Sequence, residues 1–187
     1  MDSKLQIISG KHRGRKLRLP PDARPTQNRA RIALFNMLES GIVDFNQNLS
    51  VWDAFAGSGA FGLECLSRYP TAKVIFTDVS PTSLKTVRDN LNTLGENAIV
   101  KQADAIASIS EFGGIANLIF IDPPYADSNL GCVFVHKLGK HANSGTILIW
   151  EQEIGHETEP DTTKWQILRD KRYGRARFLI LVKIYLN

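Results

Sequence analysis

The middle of the chain alternates between short apolar runs and amphipathic stretches. Apolar runs of strand length are followed by segments whose apolar residues recur at helical spacing, and this alternation predicts serial β-α-β units. Such units form a parallel sheet with helices on both faces. The predicted strands are Leu49–Asp53, Lys73–Asp78, Ala98–Gln102, Asn117–Asp122 and Thr146–Trp150. The predicted helices are Ala60–Ser67, Thr82–Leu94, Ala105–Glu111 and Ser128–His141.

The N-terminal part of the chain has a different pattern. Residues 4–19 predict a β-hairpin that turns over residues 10–14. A helix is predicted from an N-cap at Thr26 to about Ser40, where Gly41 ends it. Its predicted buried face consists of Ile32, Leu34, Phe35 and Leu38. We expect residues 1–40 to form an extension and residues 41–187 to form the main domain.

The C-terminal part predicts a second hairpin. Residues 165–172 and 177–186 are strand-like, and Tyr173-Gly174 forms the turn between them. Because no helix separates these two strands, they are expected to be antiparallel. The fold class is therefore α/β, with a mostly parallel sheet closed by an antiparallel strand.

Length and composition are those of one ordinary globular domain. The 187 residues are 43% apolar and 22% charged, which excludes a disordered polyelectrolyte. No apolar run reaches the ~20 residues of a membrane span, and no apolar block at the N-terminus indicates a secretory signal. Cys65 and Cys132 form no metal-binding pattern. We therefore expect a cytoplasmic protein without a structural metal.

Charge is segregated along the chain. Residues 1–31 contain nine Lys or Arg and two Asp or Glu, and residues 164–187 contain seven and one, whereas the part between them is acidic. Basic segments at both ends favour a nucleic-acid partner, although solvated surface charge is the alternative for either end alone. The candidate RNA-binding residues are Arg13, Arg15, Lys16, Arg24, Arg29, Arg31, Arg172, Arg175 and Arg177.

A glycine-rich loop follows the first strand of the α/β segment. Gly57, Gly59 and Gly62 have the spacing G-x-G-x-x-G between a strand and a helix, which is also the dinucleotide fingerprint. The alternative is that these glycines only permit a tight turn. Asp53 disfavours a pyrophosphate at this loop, because its carboxylate would repel the phosphates. The ammonium of an amino-acid moiety would instead be attracted there.

Three successive strands end at or near an aspartate. S-adenosylmethionine contains an amino acid, a ribose and an adenine, and Asp53, Asp78 and Asp104 respectively match these three parts. For Asp104, capping of the following helix is the alternative. The predicted cofactor-binding residues are Asp53, Phe55, Ala56, Gly57, Ser58, Gly59, Asp78, Val79, Asp104 and Ala105.

The tetrapeptide Asp122-Pro123-Pro124-Tyr125 follows a buried strand. An exocyclic amine of a nucleobase is a weak nucleophile because its lone pair is delocalised into the ring. A carboxylate and a carbonyl that accept its two N–H groups would localise that lone pair, and Tyr125 could stack on a flipped base. The alternative is an ordinary proline-containing turn. We predict that Asp122, Pro123, Pro124 and Tyr125 form the catalytic loop.

These motifs resemble those of a known family. The loop of residues 53–62 together with residues 122–125 is similar to class I S-adenosylmethionine-dependent methyltransferases that modify exocyclic amines. Residues 10–17 (Gly-Lys-His-Arg-Gly-Arg-Lys-Leu), Arg24-Pro25-Thr26 and Leu34-Phe35-Asn36 resemble the RsmD-type 16S rRNA guanine-N2 methyltransferases. The resemblance covers essentially the whole chain.

The resemblance implies a Rossmann-like sheet of seven strands with a reversed last strand. It also implies methyl transfer from S-adenosylmethionine to the N2 amine of a guanine in 16S rRNA, either free or in an assembling small ribosomal subunit. We expect a monomer that needs no metal and no membrane.

Four other functions are alternatives to rRNA methylation, and each is disfavoured by a feature of the sequence. Adenine-N6 DNA methyltransferases share the tetrapeptide but usually carry an extra recognition domain. Protein-glutamine methyltransferases typically have Asn in place of Asp122. Asp53 and the proline loop disfavour a nicotinamide oxidoreductase, and the intact motifs disfavour an RNA-binding module without activity.

Overall fold

A computed structural model describes residues 5–21, 28–45, 47–124 and 128–185. The strands are β1 (Ser50–Asp53), β2 (Lys73–Asp78), β3 (Ile99–Gln102), β4 (Leu118–Ile121), β5 (Ile147–Glu153), β6 (Trp165–Tyr173) and β7 (Ala176–Lys183). The α-helices are α1 (Asn28–Met37), α2 (Ala60–Arg68), α3 (Pro81–Leu94), α4 (Ile109–Phe112) and α5 (Ser128–Leu138). No helix in the described ranges has the length and apolar character needed to span a membrane.

The strands form one sheet in the order β3-β2-β1-β4-β5-β7-β6. Strands β1 to β5 are mutually parallel, and β7 is antiparallel to both β5 and β6. The predicted Rossmann-like architecture with one reversed strand is therefore confirmed. The strand order switches direction at β1 and β4, and open α/β sheets bind ligands outside the carboxyl ends of the strands at such a switch.

Two apolar layers cover the sheet. Helices α1 to α3 and the N-terminal residues Leu5, Ile7 and Leu17 pack on one face, in a cluster that includes Phe120 of β4. Helices α4 and α5 pack on the other face, around Trp52 and other strand residues. The N-terminal segment therefore shares its core with the main sheet rather than forming a core of its own.

The structure bears on three predictions about local elements. The N-terminal hairpin is present: one bridge joins Gln6 and Lys16, and the N–H groups of Ile7 and Leu17 donate to the carbonyls of Arg15 and Leu5, both at 2.9 Å. Helix α1 ends at Met37 and continues into a π-type turn that contains Gly41 at φ +99°, so Gly41 does interrupt the helix as expected. The predicted cap at Thr26 lies outside the described residues. Residues 105–108 form turns, and the helix predicted from residue 105 begins only at residue 109.

The buried face of α1 also differs from the prediction. Leu34, Phe35 and Leu38 are buried as expected, but Ile32 is 39% exposed. Arg31 is buried in its place, at 3% exposure. Its guanidinium donates a hydrogen bond to a main-chain carbonyl of the N-terminal segment, so the buried face of the helix includes a polar contact.

Candidate active site

The carboxyl edge of the sheet brings the predicted acidic residues together. Asp53 and Asp78 are the last residues of neighbouring parallel strands, and Asp122 follows the strand on the other side of β1. Burial raises the pKa of Asp53 well above its usual range, and the charges of Asp122 and Asp78 raise it further. The three carboxyl groups therefore belong to one electrostatic environment.

Main-chain hydrogen bonds fix the glycine loop to the neighbouring strands. The N–H of Ala54 donates to the carbonyl of Phe120 at 3.0 Å, and the N–H of Ala56 donates to the carbonyl of Thr77 at 2.9 Å. A Cβ atom at Gly62 would lie 2.4 Å from the Phe76 ring, so only glycine allows α2 to pack this closely on β2. The loop is thus held rigidly at the carboxyl edge.

Gly57 and Gly59 allow the loop to turn between the strand and the helix. Their φ angles are +52° and +77°, a region that side chains with a Cβ rarely adopt. The space around a Cβ at Gly57 is open to 4.0 Å, whereas Gly59 faces Val87 and Phe76. The Gly57 side of the loop therefore leaves room for a ligand to approach the backbone.

Asp78 is oriented by the backbone around it. Its Oδ2 accepts the N–H of Gly57 at 2.8 Å, and its Oδ1 accepts the N–H of Ser80 at 2.8 Å. Each carboxylate oxygen has a further lone pair, so this side chain can still accept hydrogen bonds from a ligand. Its geometry suits the vicinal hydroxyls of a ribose.

Asp53 has one paired and one unpaired oxygen. The residue is 1% exposed, and its Oδ2 accepts the N–H of Gly62 at 3.1 Å. Its Oδ1 is buried without a hydrogen-bond partner among the described residues. Buried polar atoms in folded proteins nearly always have a partner, so this oxygen suits a donor that a ligand supplies.

The remaining predicted cofactor-binding residues differ from one another in their contacts and exposure. Asp104 accepts the N–H of Ala107 at 2.8 Å through Oδ1, within the turn that precedes α4, whereas the N-cap position of α4 is Ser108. The side chain of Val79 is 63% exposed and Ala105 is 3% exposed. Phe55 contacts the Phe134 ring with a centroid distance of 5.8 Å. Ala56 and Ser58 are buried in the loop.

The predicted catalytic loop begins at the end of β4. Asp122 is half-buried, Pro123 is buried and Pro124 is exposed, whereas Tyr125 lies outside the described residues. Burial raises the pKa of Asp122 to about 7. A carboxyl group with this pKa exchanges its proton near neutral pH, as a proton acceptor in catalysis must.

Glu151 is absent from the predicted site residues, yet it lies next to Asp122. In the pairing of β4 with β5, Ile121 is aligned with Trp150, so these two acids are the next residues in register. Strand β5 extends three residues beyond its predicted end at Trp150 and includes Glu151. An acid directly after a predicted strand is the same signal that identified Asp53 and Asp78, so Glu151 was detectable from the sequence.

The N-terminal basic turn lies at the opposite edge of the sheet. The N–H of Lys11 donates to the carbonyl of Ser67 near the end of α2, and His12 contacts Glu96, just after α3. Both helices begin beside the carboxyl ends of strands and run back along the sheet. The length of α2 places the end of that helix about 13 Å from the carboxyl edge. The predicted RNA-binding residues that are exposed in the N-terminal part of the chain are Arg13, Arg15, Lys16 and Arg29.

Two predicted RNA-binding residues are corrected by their burial. Arg31 is 3% exposed and Arg177 is 5% exposed. Arg177 contacts Asp170 at 2.8 Å and Glu159 at 2.9 Å, so its charge is neutralised inside the protein. Neither guanidinium is accessible to an RNA phosphate.

The other predicted C-terminal cations are exposed but paired. Arg172 contacts Glu157 at 3.2 Å, and Arg175 contacts Glu153. Arg24 lies outside the described residues. The C-terminal hairpin is therefore less positively charged at its surface than its sequence indicates.

Comparison with known families and proteins gives three findings about the whole chain. Residues 5–182 match the family described as conserved hypothetical protein 95. Ribosomal RNA small subunit methyltransferase D of Escherichia coli K12 is 32% identical over 178 residues, which cover 93% of this chain and 87% of that protein. The protein of the same name from Haemophilus influenzae is 33% identical over 128 residues, which cover 65% and 64% of the two chains.

Solved structures agree with this similarity. The yhhF protein of Escherichia coli has a TM-score of 0.81 and 31% identity, with 96% of this chain and 98% of that chain covered. A methyltransferase from Pyrococcus furiosus has a TM-score of 0.66, with 90% and 88% of the chains covered. At 13% identity the second similarity concerns the fold alone.

Proposed function

Because this chain belongs to the ribosomal RNA small subunit methyltransferase D family, we propose that it transfers a methyl group from S-adenosylmethionine to the N2 amine of a guanine in 16S rRNA. The observation that carries this proposal is the position of Asp122. Its half-buried carboxyl group lies at the carboxyl edge of the sheet, on the opposite side of β1 from Asp78. This position supports a nucleobase site next to the site proposed for the methyl donor.

The residues at the carboxyl ends of β1 and β2 fit the donor. Asp78 would accept from the ribose hydroxyls, and Asp53 Oδ1 offers an unpaired acceptor for the methionine ammonium. The open space at Gly57 admits the cofactor against the backbone. S-adenosylmethionine supplies an electrophilic methyl group carried on a sulfonium.

Asp122 and Pro123 act on the nucleophile. The Asp122 carboxylate and the Pro123 carbonyl accept the two N–H groups of the target amine, which favours a pyramidal nitrogen with a localised lone pair. The nitrogen becomes acidic as the new N–C bond forms, and its surplus proton passes to the Asp122 carboxylate. With a pKa of about 7, Asp122 can then return this proton to water.

Positioning contributes most of the remaining acceleration. A base inside an RNA helix does not reach the carboxyl edge, so the target guanine is flipped out of its stack into the site. Holding the amine in line with the methyl group replaces a collision in solution with a step inside one complex. Exposed cations such as Arg13, Arg15, Lys16 and Arg29 would bind RNA phosphates away from the target base, without reading sequence.

The function is tested by mass mapping of small-subunit rRNA from cells that lack this protein. We expect one guanine to lose one methyl group and to regain it when the wild-type gene is restored. Restoring the Asp122→Ala variant should leave that guanine unmethylated. An unchanged rRNA pattern, or a missing methyl group on DNA adenine, would contradict the proposal.

A further inference from the structure

The carboxyl ends of β4 and β5 carry two acidic side chains on one face of the sheet. Asp122 and Glu151 follow the aligned pair Ile121 and Trp150. Neighbouring strands lie about 4.8 Å apart, and side chains in register point to the same face. The pairing of β1 with β4 places Asp53 on this face too. Glu151 is therefore part of the surface on which the target base would lie.

Arg31 of α1 is a buried cation on this face. Its NH2 donates to the carbonyl of Gln6 and to Asn28 Oδ1. Its Nε and NH1 are buried without a hydrogen-bond partner among the described residues. Burial lowers the pKa of Arg31, and the charges of Glu64 and Glu151 oppose that decrease. The ionised form of Glu151 therefore helps to keep this guanidinium charged.

The two carboxyl groups are electrostatically linked. Burial and the charge of Asp122 raise the pKa of Glu151 well above its usual range, whereas Arg31 lowers it. Adjacent carboxyl groups in a buried site do not both ionise easily, so a proton on one of them favours ionisation of the other. An N–H donor on a ligand relieves this repulsion because it gives the second carboxylate a partner.

The Watson–Crick edge of guanine offers such a donor beside the reacting amine. Asp122 and the Pro123 carbonyl account for the two N–H groups at N2, and the neighbouring N1–H also needs an acceptor. An unpaired donor in a buried site costs free energy because its bond to water is lost. Adenine and 2-aminopurine have a lone pair at N1, which a carboxylate repels.

We propose that Glu151 accepts the N1–H of the flipped guanine and thereby selects a purine that has a donor at N1. Arg31 is a positioning residue that acts through Glu151. The N1 proton stays on guanine, so no bond forms or breaks in this contact. This inference rests on the proposed transfer to guanine N2, and it adds the residue that recognises the base.

The test compares guanine with 2-aminopurine at the target position. Both bases carry the N2 amine, but 2-aminopurine lacks the N1–H. The substrates are a synthetic fragment of small-subunit rRNA that contains the mapped guanine and the same fragment with 2-aminopurine there. Methyl transfer is measured as kcat/KM for the wild type, Glu151→Gln, Glu151→Asp and Glu153→Gln, and binding of S-adenosylhomocysteine is measured by calorimetry.

Glu151→Gln should lose about 10- to 100-fold in kcat/KM on the guanine fragment, the range for one hydrogen bond to a charged group. Its preference for guanine over 2-aminopurine should fall at least tenfold, because the amide can donate to the N1 lone pair. Glu151→Asp keeps the charge and should keep the preference. Glu153→Gln removes a charge from the same strand, at a residue paired with Arg175, and should keep the wild-type preference.

A second pair of variants tests the role of Arg31. Arg31→Met should also reduce the preference for guanine, and combining it with Glu151→Gln should reduce it no further, because both act on one contact. A full additional loss in the double variant would show that Arg31 acts elsewhere.

Three outcomes would overturn the inference. If Glu151→Gln keeps the wild-type preference, Glu151 does not recognise N1, although transfer to guanine still stands. If Glu151→Gln binds S-adenosylhomocysteine as weakly as it methylates RNA, the residue supports the fold instead. If the wild type methylates neither fragment, the proposed function fails together with this inference.

Discussion

The two halves of the carboxyl edge treat their acidic side chains differently. At the ends of β2 and β3, main-chain N–H groups bind the carboxylates of Asp78 and Asp104. At the ends of β4 and β5, no described residue donates to Asp122 or Glu151, and the pKa of each is raised. The first half is organised before any ligand binds. The second half has acceptors whose partners and protons must come from the substrate.

Loss of Asp122 should have the largest effect. Asp122→Ala removes the proposed acceptor for the target amine, so methyl transfer to small-subunit rRNA should fall below detection. Affinity for S-adenosylhomocysteine should stay within a few-fold of the wild type, because the donor site lies in the other half. Methyl incorporation and calorimetry measure the two effects separately. Equal losses of methyl transfer and of affinity for S-adenosylhomocysteine would mean that the two halves of the carboxyl edge do not have separate roles.

Loss of Asp78 should have the opposite pattern. Asp78→Ala removes the proposed ribose acceptor and also releases the N–H of Gly57, so affinity for S-adenosylhomocysteine should fall about 10- to 100-fold. Part of the transfer rate should return at saturating donor. Asp89→Ala, on the exposed side of α3, is the control and should change neither quantity. Unchanged affinity in Asp78→Ala would remove the ribose role.

The pH profile should report the second half of the edge. Because Asp122 must be ionised to accept the amine hydrogens, kcat/KM on RNA should rise about tenfold per pH unit below pH 7 and level off above it. In Glu151→Gln the rise should stay near pH 7, because burial alone raises the pKa of Asp122. If kcat/KM does not change between about pH 5.5 and 8, Asp122 does not ionise as proposed.

The smallest effect is expected from a region outside both halves. Replacing Arg13, Arg15 and Lys16 by Ala should weaken RNA binding and flatten its salt dependence by up to about three units of slope, if all three contact phosphate. Binding of S-adenosylhomocysteine should be unchanged, because the turn lies at the opposite edge. Filter binding at several salt concentrations measures the slope. An unchanged slope would assign recognition to other surfaces.

The sequence was sufficient to predict the sheet because its strands have clear apolar runs. All five central strands are within a few residues of their predicted ranges, and the family resemblance is confirmed by the relatives. The glycine loop and the tetrapeptide were recognisable because their chemistry is local in the chain. Their contacts with a donor or an RNA stay predictions.

The errors concern residues whose environment is set by distant parts of the chain. Arg31 is buried because a main-chain carbonyl at Gln6 accepts its hydrogen bond, and no pattern within the helix contains that information. Arg177 belongs to the basic C-terminal segment, and that composition predicts an exposed side chain. Strand β7 is instead an inner strand, so Arg177 is enclosed between two neighbours. Glu151 is absent from the predicted site although it directly follows the predicted end of β5 at Trp150, and only the pairing with β4 shows that it lies beside Asp122.

The position of β7 between β5 and β6 also sets the order in which the chain can complete its sheet during synthesis. Strand β6 leaves the ribosome before β7, yet among the described strands its pairing partner is β7. Until residues 176–183 have emerged, β5 presents an unpaired edge that includes Ile147, Ile149 and Trp150, and such edges promote aggregation. A nascent chain that stalls between β6 and β7 therefore has the donor-binding half of its site, but the edge of its sheet at β5 is unpaired and prone to aggregation. Pairing of residues 176–183 with β5 closes that edge.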